Sequence, residues 1–330
     1  MVSTPLRLTI CIFPLVLATV NAQDVVRLDP ALDKIVPSRA KVEKLAGNLQ
    51  RAEGPVWVRD GGYLLLSDLN SILKWTASSG LSPFHDRTFP GPAPEGTRVG
   101  TNGLTLDPEG RVIACEHGNR RISRFEKTGS VTILADRYED QRFNSPNDLV
   151  RRKNGDVYFT DPPYFADLSL PDPEKRFQPE MGFNGVYRVT AAGKVELLVK
   201  DLPFPNGIAF SPDQKKLYIA NSRPAKFWRV YDVKADGSLG NGKVLLDVTT
   251  LPGEGVPDGM KVDTAGNLYA TGPGGILVIS PQGRHLGTIQ IPEIAANCAW
   301  GDADGKTLYV TARTGLYRIR LNIAGVRPGT

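Results

Sequence analysis

The sequence predicts a six-bladed β-propeller: a ring of four-stranded β-sheets built as one all-β domain. Three observations predict it. A repeat returns six times, the second half of each copy carries hairpin signals, and the strand missing from the last copy has a counterpart near the start of the chain. Each repeat opens on a polar residue, usually followed by glycine. An alternating strand, a turn with Asp or Gly and an apolar strand come next. The copies read EGPVWVRDGGYLLLSD from Glu53, NGLTLDPEGRVIACE from Asn102 and NDLVRRKNGDVYFTD from Asn147. The remaining three are NGIAFSPDQKKLYIANS from Asn206, DGMKVDTAGNLYATG from Asp258 and NCAWGDADGKTLYVTA from Asn297. Successive starts are 49, 45, 59, 52 and 39 residues apart, the spacing of four-stranded propeller blades.

The runs RISRFEKTGSVTILAD, GVYRVTAAGKVELLVKDL and GILVISPQGRHLGTIQIP are each two alternating strands around a Gly-containing turn, which is the hairpin signature. They supply the third and fourth strands of a blade. The sixth copy stops at GLYRIRLN, one strand short. Residues 41–57, KVEKLAGNLQRAEGPVW, align without a gap on residues 194–210, KVELLVKDLPFPNGIAF. The second segment is an outer strand followed by the start of the next blade. Residues 41–47 are therefore expected to complete the last blade and close the ring, which protects an otherwise exposed sheet edge.

Ahead of this region, Arg7 precedes an apolar run from Leu8 to Val20, and Val20-Asn21-Ala22 follows with small residues at a cleavage spacing. That is the layout of a secretory signal over residues 1–22, too short to span a bilayer comfortably. The expected organisation is a signal peptide at 1–22, an extension at 23–40 and the propeller at 41–330. The mature protein is expected to be exported, periplasmic or secreted, with no membrane association after cleavage. Without Arg7 the chain has 39 basic and 35 acidic residues, a net charge of +4, and its basic residues are dispersed. A nucleic-acid partner would want a continuous basic face, so none is expected. Cys115 and Cys298 lie in separate apolar runs and read as two buried thiols.

In a propeller the first strand of every blade faces the central channel. The residues that open the repeats, Glu53, Asn102, Asn147, Asn206, Asp258 and Asn297, should therefore meet at one rim. All six end in a carboxylate or amide oxygen, the donor set of a hard cation. Asn-Gly and Asp-Gly pairs also serve turns, because both residues tolerate positive φ. Glu53 separates the two readings, since Glu has no local reason to stand at a turn. Two anions, Glu53 and Asp258, with neutral amides would balance a divalent charge. Ca²⁺ is preferred because Mg²⁺ demands stricter octahedral geometry; Mg²⁺ and Zn²⁺ are the alternatives. The DPEG and DTAG turns from Asp107 and Asp263 sit at the far end of the first strand and read as structural.

AEGPVWV at 52–58, SPNDLV at 145–150, PNGIAFSPD at 205–213 and PDGMKVD at 257–263 resemble the senescence-marker-protein/gluconolactonase/luciferin-regenerating-enzyme family. ACEHGNRRI at 114–122 and DPPY at 161–164 are similar to its secreted bacterial gluconolactonases. The resemblance runs from about residue 42 to 321. It implies a six-bladed propeller with one axial divalent cation, held by Glu53, Asn206, Asp258 and Asn147, the last as ligand or as substrate contact. The implied activity is hydrolysis of a sugar lactone; Asp258 is the candidate general base, a weak one as a metal-bound carboxylate but sufficient where the metal also acidifies the water. It also suggests a substrate-binding arginine, for which Arg142 is the candidate, although Arg142 stands further from the PND motif than in relatives.

Asn102 and Tyr164 are further candidate substrate contacts. His117, just after the second strand of its blade, reads either as a packed rim residue or as a contact to substrate. His85 and His285 are expected to face solvent. Tyr164 and Phe165 begin an insertion over 162–184 that, with the loop at 87–101, reads as a cover for the mouth or as decoration. Two other functions share the scaffold: phosphotriester hydrolysis, and a non-catalytic calcium-stabilised propeller that binds a sugar or a partner. The oligomeric state is not legible.

Overall fold

Short alternating strands separated by Gly- and Asp-bearing turns pair with their sequence neighbours, and here they do so six times over. In the computed structural model, which describes residues 24–92, 99–164 and 179–329, they form six antiparallel blades around a central axis. The signal-like segment 1–22, Phe165 and the middle parts of the 87–101 and 162–184 loops lie outside the described residues. The inner strands, in blade order, are Ala52–Val58, Thr101–Leu106, Leu149–Arg151, Pro205–Phe210, Met260–Val262 and Ala295–Gly301. In the first five blades the inner strand is followed by three strands that step outward in sequence order. The sixth blade supplies only three of its own, and Val42–Ala46 pairs antiparallel with Gly315–Arg320 to complete it, as the sequence match predicts.

Blades pack face to face through large side chains. Trp57 of blade 1 stacks on Tyr309 of blade 6 with ring centroids 5.3 Å apart, and Tyr158 of blade 3 meets Phe210 of blade 4 edge-on at 5.0 Å. Tyr269 of blade 5 meets Trp300 of blade 6 at 4.7 Å. These aromatic contacts add to the area they remove from water and hold neighbouring inner strands in fixed relation around the axis. Cys115 and Cys298 are buried free thiols, as expected from their separate strands.

The extension 23–40 does more than the sequence reading gave it. Val25–Arg27 pairs with His285–Ile289 as a fifth strand on blade 5. A short 3-10 helix, Pro30–Lys34, follows; Asp29 caps it by accepting from the Ala31 N–H at 2.8 Å, and Leu32 is fully buried in the core between blades 5 and 6. His285 is consequently half-buried and not solvent-facing, since the strand it sits on is no longer an edge. Its signal was weak because three residues carry too little periodicity to read as a strand. The small hairpin Arg137–Tyr138 and Gln141–Arg142 after blade 2 is a second addition.

Candidate active site

Four of the six inner strands carry a β-bulge near their start, and the bulge shapes the site there. In blade 1 the register shifts between Glu53 and Val56, in blade 2 between Thr101 and Leu104, and in blade 4 between Pro205 and Ile208. Two residues oppose one there, which re-aims a side chain out of the ladder. In blades 2 and 4 the two are Asn102 with Gly103 and Asn206 with Gly207; in blade 1 they are Gly54 and Pro55, just after Glu53, which pairs with Ser67. These glycines have a steric reason. A Cβ on Gly207 would lie 2.0 Å from the Asp258 carbonyl oxygen, and one on Gly54 would lie 1.8 Å from that of Asn102. At Gly54 and Gly207 the neighbouring inner strand approaches too closely for a side chain. The repeated Asn-Gly and Asp-Gly pairs thus serve both backbone and site: the glycine lets the strands converge and the polar residue faces the rim.

The same register corrects one expectation. In blade 6 the shift falls between Ala295 and Asn297, with Ala295 opposite Ala312 and Asn297 opposite Thr311. Ala296 therefore occupies the rim position, and its carbonyl accepts from the Gly259 N–H at 2.8 Å. Asn297 stands one step down the channel, in the place that glycine takes elsewhere. Asp148 holds that place in blade 3. Only these two side chains enter the lower tier, where four glycines make room for them. The Asn297 amide lies where a Cβ on Gly259 would be, and Asp148 lies against Gly103. Asn297 Nδ2 reaches Asp148 Oδ2 at 3.4 Å, and Lys261 Nζ donates to Asn297 Oδ1 at 3.2 Å. This group forms a floor beneath the rim.

Along the rim the amides are joined head to tail. Asn102 Nδ2 donates to Asn147 Oδ1 at 2.8 Å, Asn147 Nδ2 donates to Asn206 Oδ1, and Asn206 Nδ2 donates to Ser222 Oγ at 2.9 Å and to the Tyr164 hydroxyl at 3.0 Å. Ser222 Oγ in turn donates to the Pro257 carbonyl at 2.7 Å, which ties the run to Asp258. Asp258 is partly exposed, and its N–H donates to Thr271 Oγ1 at 3.1 Å. His117 is buried at the same rim. Its Nε2 lies 3.2 Å from both Asn102 Nδ2 and Asn147 Oδ1, and its ring stacks near Tyr164 with centroids 6.2 Å apart. The two contacts demand opposite proton positions: a bare Nε2 accepts from Asn102, whereas a protonated one donates to Asn147.

Glu53 stands next in the ring and is buried. Desolvation pushes its carboxyl above the ordinary carboxylate value, against the pull of the Gly54 N–H and the charge of Arg51, and nearby Asp148 pushes the same way as burial. Asp148 is likewise raised by burial, with Lys261 opposing. Glu53 makes no ion pair among the described residues, and the charge of Arg51 and a hydrogen bond with Asn297 only partly offset its burial. Arg142 is not brought to the ring. Its guanidinium donates to the Asn119 carbonyl at 2.6 Å, on the loop after the second strand of blade 2.

The residues that aim the rim were not singled out from the sequence. The last residue of the second strand accepts backbone N–H groups two and three positions before the rim residue. Asp68 does so from Arg51 and Gln50, Asp161 from Ser145 and Asn144, and Asn221 from Phe204. The signal was present in the polar residue that ends the second strand in three repeats, but its partners lie in loops of irregular sequence. Burial pushes the Asp161 carboxyl up to about 7, with the two N–H groups and Arg120 opposing.

Residues 51–314 match the family described as SMP-30/Gluconolactonase/LRE-like region. The chain belongs to that family. A gluconolactonase of Zymomonas mobilis is 37% identical over 316 residues, covering 91% of this chain and 87% of its own. The solved structure of a gluconolactonase from Xanthomonas campestris superposes with a TM-score of 0.79 at 29% identity, covering 91% of this chain and 96% of its own. A calcium-binding protein, regucalcin, from Agrobacterium tumefaciens shares the fold with a TM-score of 0.68 at 19% identity, over 86% of this chain and 96% of its own.

The residues of this SMP-30/gluconolactonase member fit a hard divalent cation. Among the described residues no three His, Cys, Asp or Glu side chains gather as a metal cluster, so any ion at the rim takes a mixed set of carboxylate and amide oxygens. That chemistry suits Ca²⁺ or Mg²⁺ better than a thiolate- or imidazole-seeking ion. The Asn206 amide oxygen keeps a second lone pair beside the one Asn147 uses, and the Asn147 oxygen does so when His117 Nε2 accepts from Asn102.

Proposed function

We propose that this protein hydrolyses a sugar lactone of the gluconolactone type to its aldonic acid, with one divalent cation at the axis. The observation that carries the reading is the joined run of Asn102, Asn147 and Asn206 beside a buried Glu53 carboxylate that lacks an ion pair. The substrate class is supported by relatives named gluconolactonase at 37% and 29% identity. Calcium is the preferred ion on donor chemistry, and a neighbour described as calcium-binding shares the fold.

Glu53, Asn147, Asn206 and Asp258 would hold the cation, which when bound supplies a Lewis acid for the lactone carbonyl oxygen and acidifies a neighbouring water. Glu53 contributes the buried negative charge. Asp258, the more exposed of the two anions, accepts a proton from the attacking water as its oxygen bonds to the carbonyl carbon. The acyl C–O bond of the ring then breaks, and the ring oxygen leaves as a hydroxyl with the proton that Asp258 carried. The water's other proton, left on the new carboxylic acid, is released to solvent. Asn102, His117 and the Tyr164 hydroxyl present hydrogen-bonding groups to the sugar hydroxyls, and Asn147 does so on the face it does not give to the cation.

The same proposal takes the protein out of the cytoplasm, on the apolar run Leu8–Val20 and the small residues that follow it. N-terminal sequencing of the exported protein is expected to begin near Gln23. The activity is tested with gluconolactone and, separately, an organophosphate triester, each with and without chelator, on wild type and Asp258→Asn. Lactone opening that chelator abolishes, Ca²⁺ restores and Asp258→Asn loses is the expected result. Triester turnover alone, or a folded protein that hydrolyses neither compound, would overturn it.

A further inference from the structure

Beneath the Asp148–Asn297 floor the channel opens again, toward the face opposite the rim. A cavity of about 520 Å³ lies there, walled by the inner strands and crossed by the chain from Ala324 to Gly329. Its volume is in the range, roughly 300–1,000 Å³, that takes a small organic ligand. The deep wall is apolar, from Leu104, Leu149, Ile208 and Trp300. Its charged lining is of one sign: Arg59, Arg151, Arg152, Lys153, Lys261 and Arg327, with no Asp or Glu among the lining residues. Arg59, Arg151, Arg152 and Lys153 make no ion pair among the described residues, in a chain where most other arginines do.

Two further observations point the same way. Trp300 is 2% exposed, and among the described residues its indole N–H has no hydrogen-bond partner. Arg327 is held on this side by the Asp302 carbonyl at 2.8 Å, where burial and then the like charge of Arg59 hold its guanidinium below the usual value. Cations gathered around low-dielectric walls focus their field into the cavity and favour an anion there. The floor separates this space from the rim, since the Asp148–Asn297 contact spans the axis and Lys261 braces it.

We infer that the lower mouth of the channel is a second binding site, separate from the catalytic rim, for an organic anion with an apolar body. The anionic head sits among Arg59, Arg151, Arg152 and Lys153, and the apolar body lies on the channel wall beside Trp300. Neither a neutral sugar lactone nor a bare inorganic ion matches both halves of this lining.

The test uses 1-anilinonaphthalene-8-sulfonate, whose fluorescence rises in apolar surroundings, on the folded wild-type protein. One equivalent is expected to bind, decanoate to displace it and decanol to leave it in place. An Arg59→Ala/Arg152→Ala variant is expected to bind at least tenfold more weakly with unchanged circular dichroism and lactone hydrolysis, while Arg59→Lys/Arg152→Lys binds nearly as wild type does. Binding that survives the double alanine change, equal displacement by decanol, or displacement by excess lactone would each overturn the assignment. Lactone displacement would put the probe at the rim, whatever the activity proves to be.

Discussion

Gly207→Ala is a change of one methyl group that should act on the site without touching it chemically. The added Cβ would lie 2.0 Å from the Asp258 carbonyl oxygen and 2.9 Å from the Gly259 Cα. An ordinary carbon–oxygen contact needs roughly 3.3 Å, so the inner strands of blades 4 and 5 must separate by about 1.3 Å. Both contact atoms are backbone, and no side chain can swing aside to absorb the clash. Overpacking of this kind costs about 1–3 kcal/mol, which for a domain of this size lowers Tm by roughly 1–2 °C per kcal/mol. The larger consequence is geometric, because the displaced strands carry Asn206 and Asp258 at the rim. A misplacement near 1 Å can cost on the order of 100-fold in rate. The assay is kcat/KM for gluconolactone at saturating Ca²⁺, with thermal unfolding alongside. The expected pattern is a modest loss of Tm and a loss of activity far larger than the unfolded fraction explains. Wild-type turnover and an unchanged Tm would show that the two strands do not need this close approach.

Other outcomes follow from the same geometry. Glu53→Gln keeps the shape and removes the buried charge, so the cation-free variant should unfold at a higher temperature than cation-free wild type near pH 8. It should also lose most of the gain that cation gives wild type, about 2.7 kcal/mol at 100 times Kd, as read by thermal shift. For Asp161, whose carboxyl is raised from 3.8 to about 7 by burial, the sign is opposite to that of a salt-bridged acid. Its protonated form stabilises the fold fully below pH 4, and that contribution is lost as pH rises through about 7. Relative to wild type, Asp161→Asn should therefore gain up to about 4 kcal/mol between pH 4 and 7, from roughly three pH units at 1.36 kcal/mol each, measured by urea unfolding across that range. Deleting residues up to 47 removes the strand that pairs with Gly315–Arg320 and exposes a sheet edge, so size-exclusion chromatography should show aggregates in place of a single species.

The blade count and the ring closure were legible because both rest on period and alternation, which recur at fixed spacing in residues such as those from Glu53 to Asp68. The rim was legible for a related reason: Glu53, Asn102, Asn147, Asn206 and Asp258 each open a repeat. What failed at Asn297 was register. The sixth repeat lacks the Asn-Gly pair and has Ala296-Asn297 instead, so aligning the asparagines shifted the strand by one residue, and one residue in a strand reverses the direction of every side chain. Asp148 was hidden for the complementary reason, standing where other blades have glycine. Asp161, Ser222 and Lys261 act through partners far away in sequence, and no spacing rule links Asp161 to the backbone of Asn144 or Lys261 to Asn297. The strand Val25–Arg27 is three residues long and is held by pairing with blade 5 and by the burial of Leu32, both of which appear only when the chain is folded.

The most direct measurement is a calorimetric Ca²⁺ titration of chelator-stripped protein, with gluconolactone hydrolysis followed at every point. One ion per chain should bind, activity should rise in proportion to occupancy, and a Glu53→Gln/Asp258→Asn variant should show neither signal. Full turnover by the stripped protein, or tight stoichiometric binding that persists in the double variant, would mean that the oxygens gathered at the rim do not hold the ion on which catalysis depends.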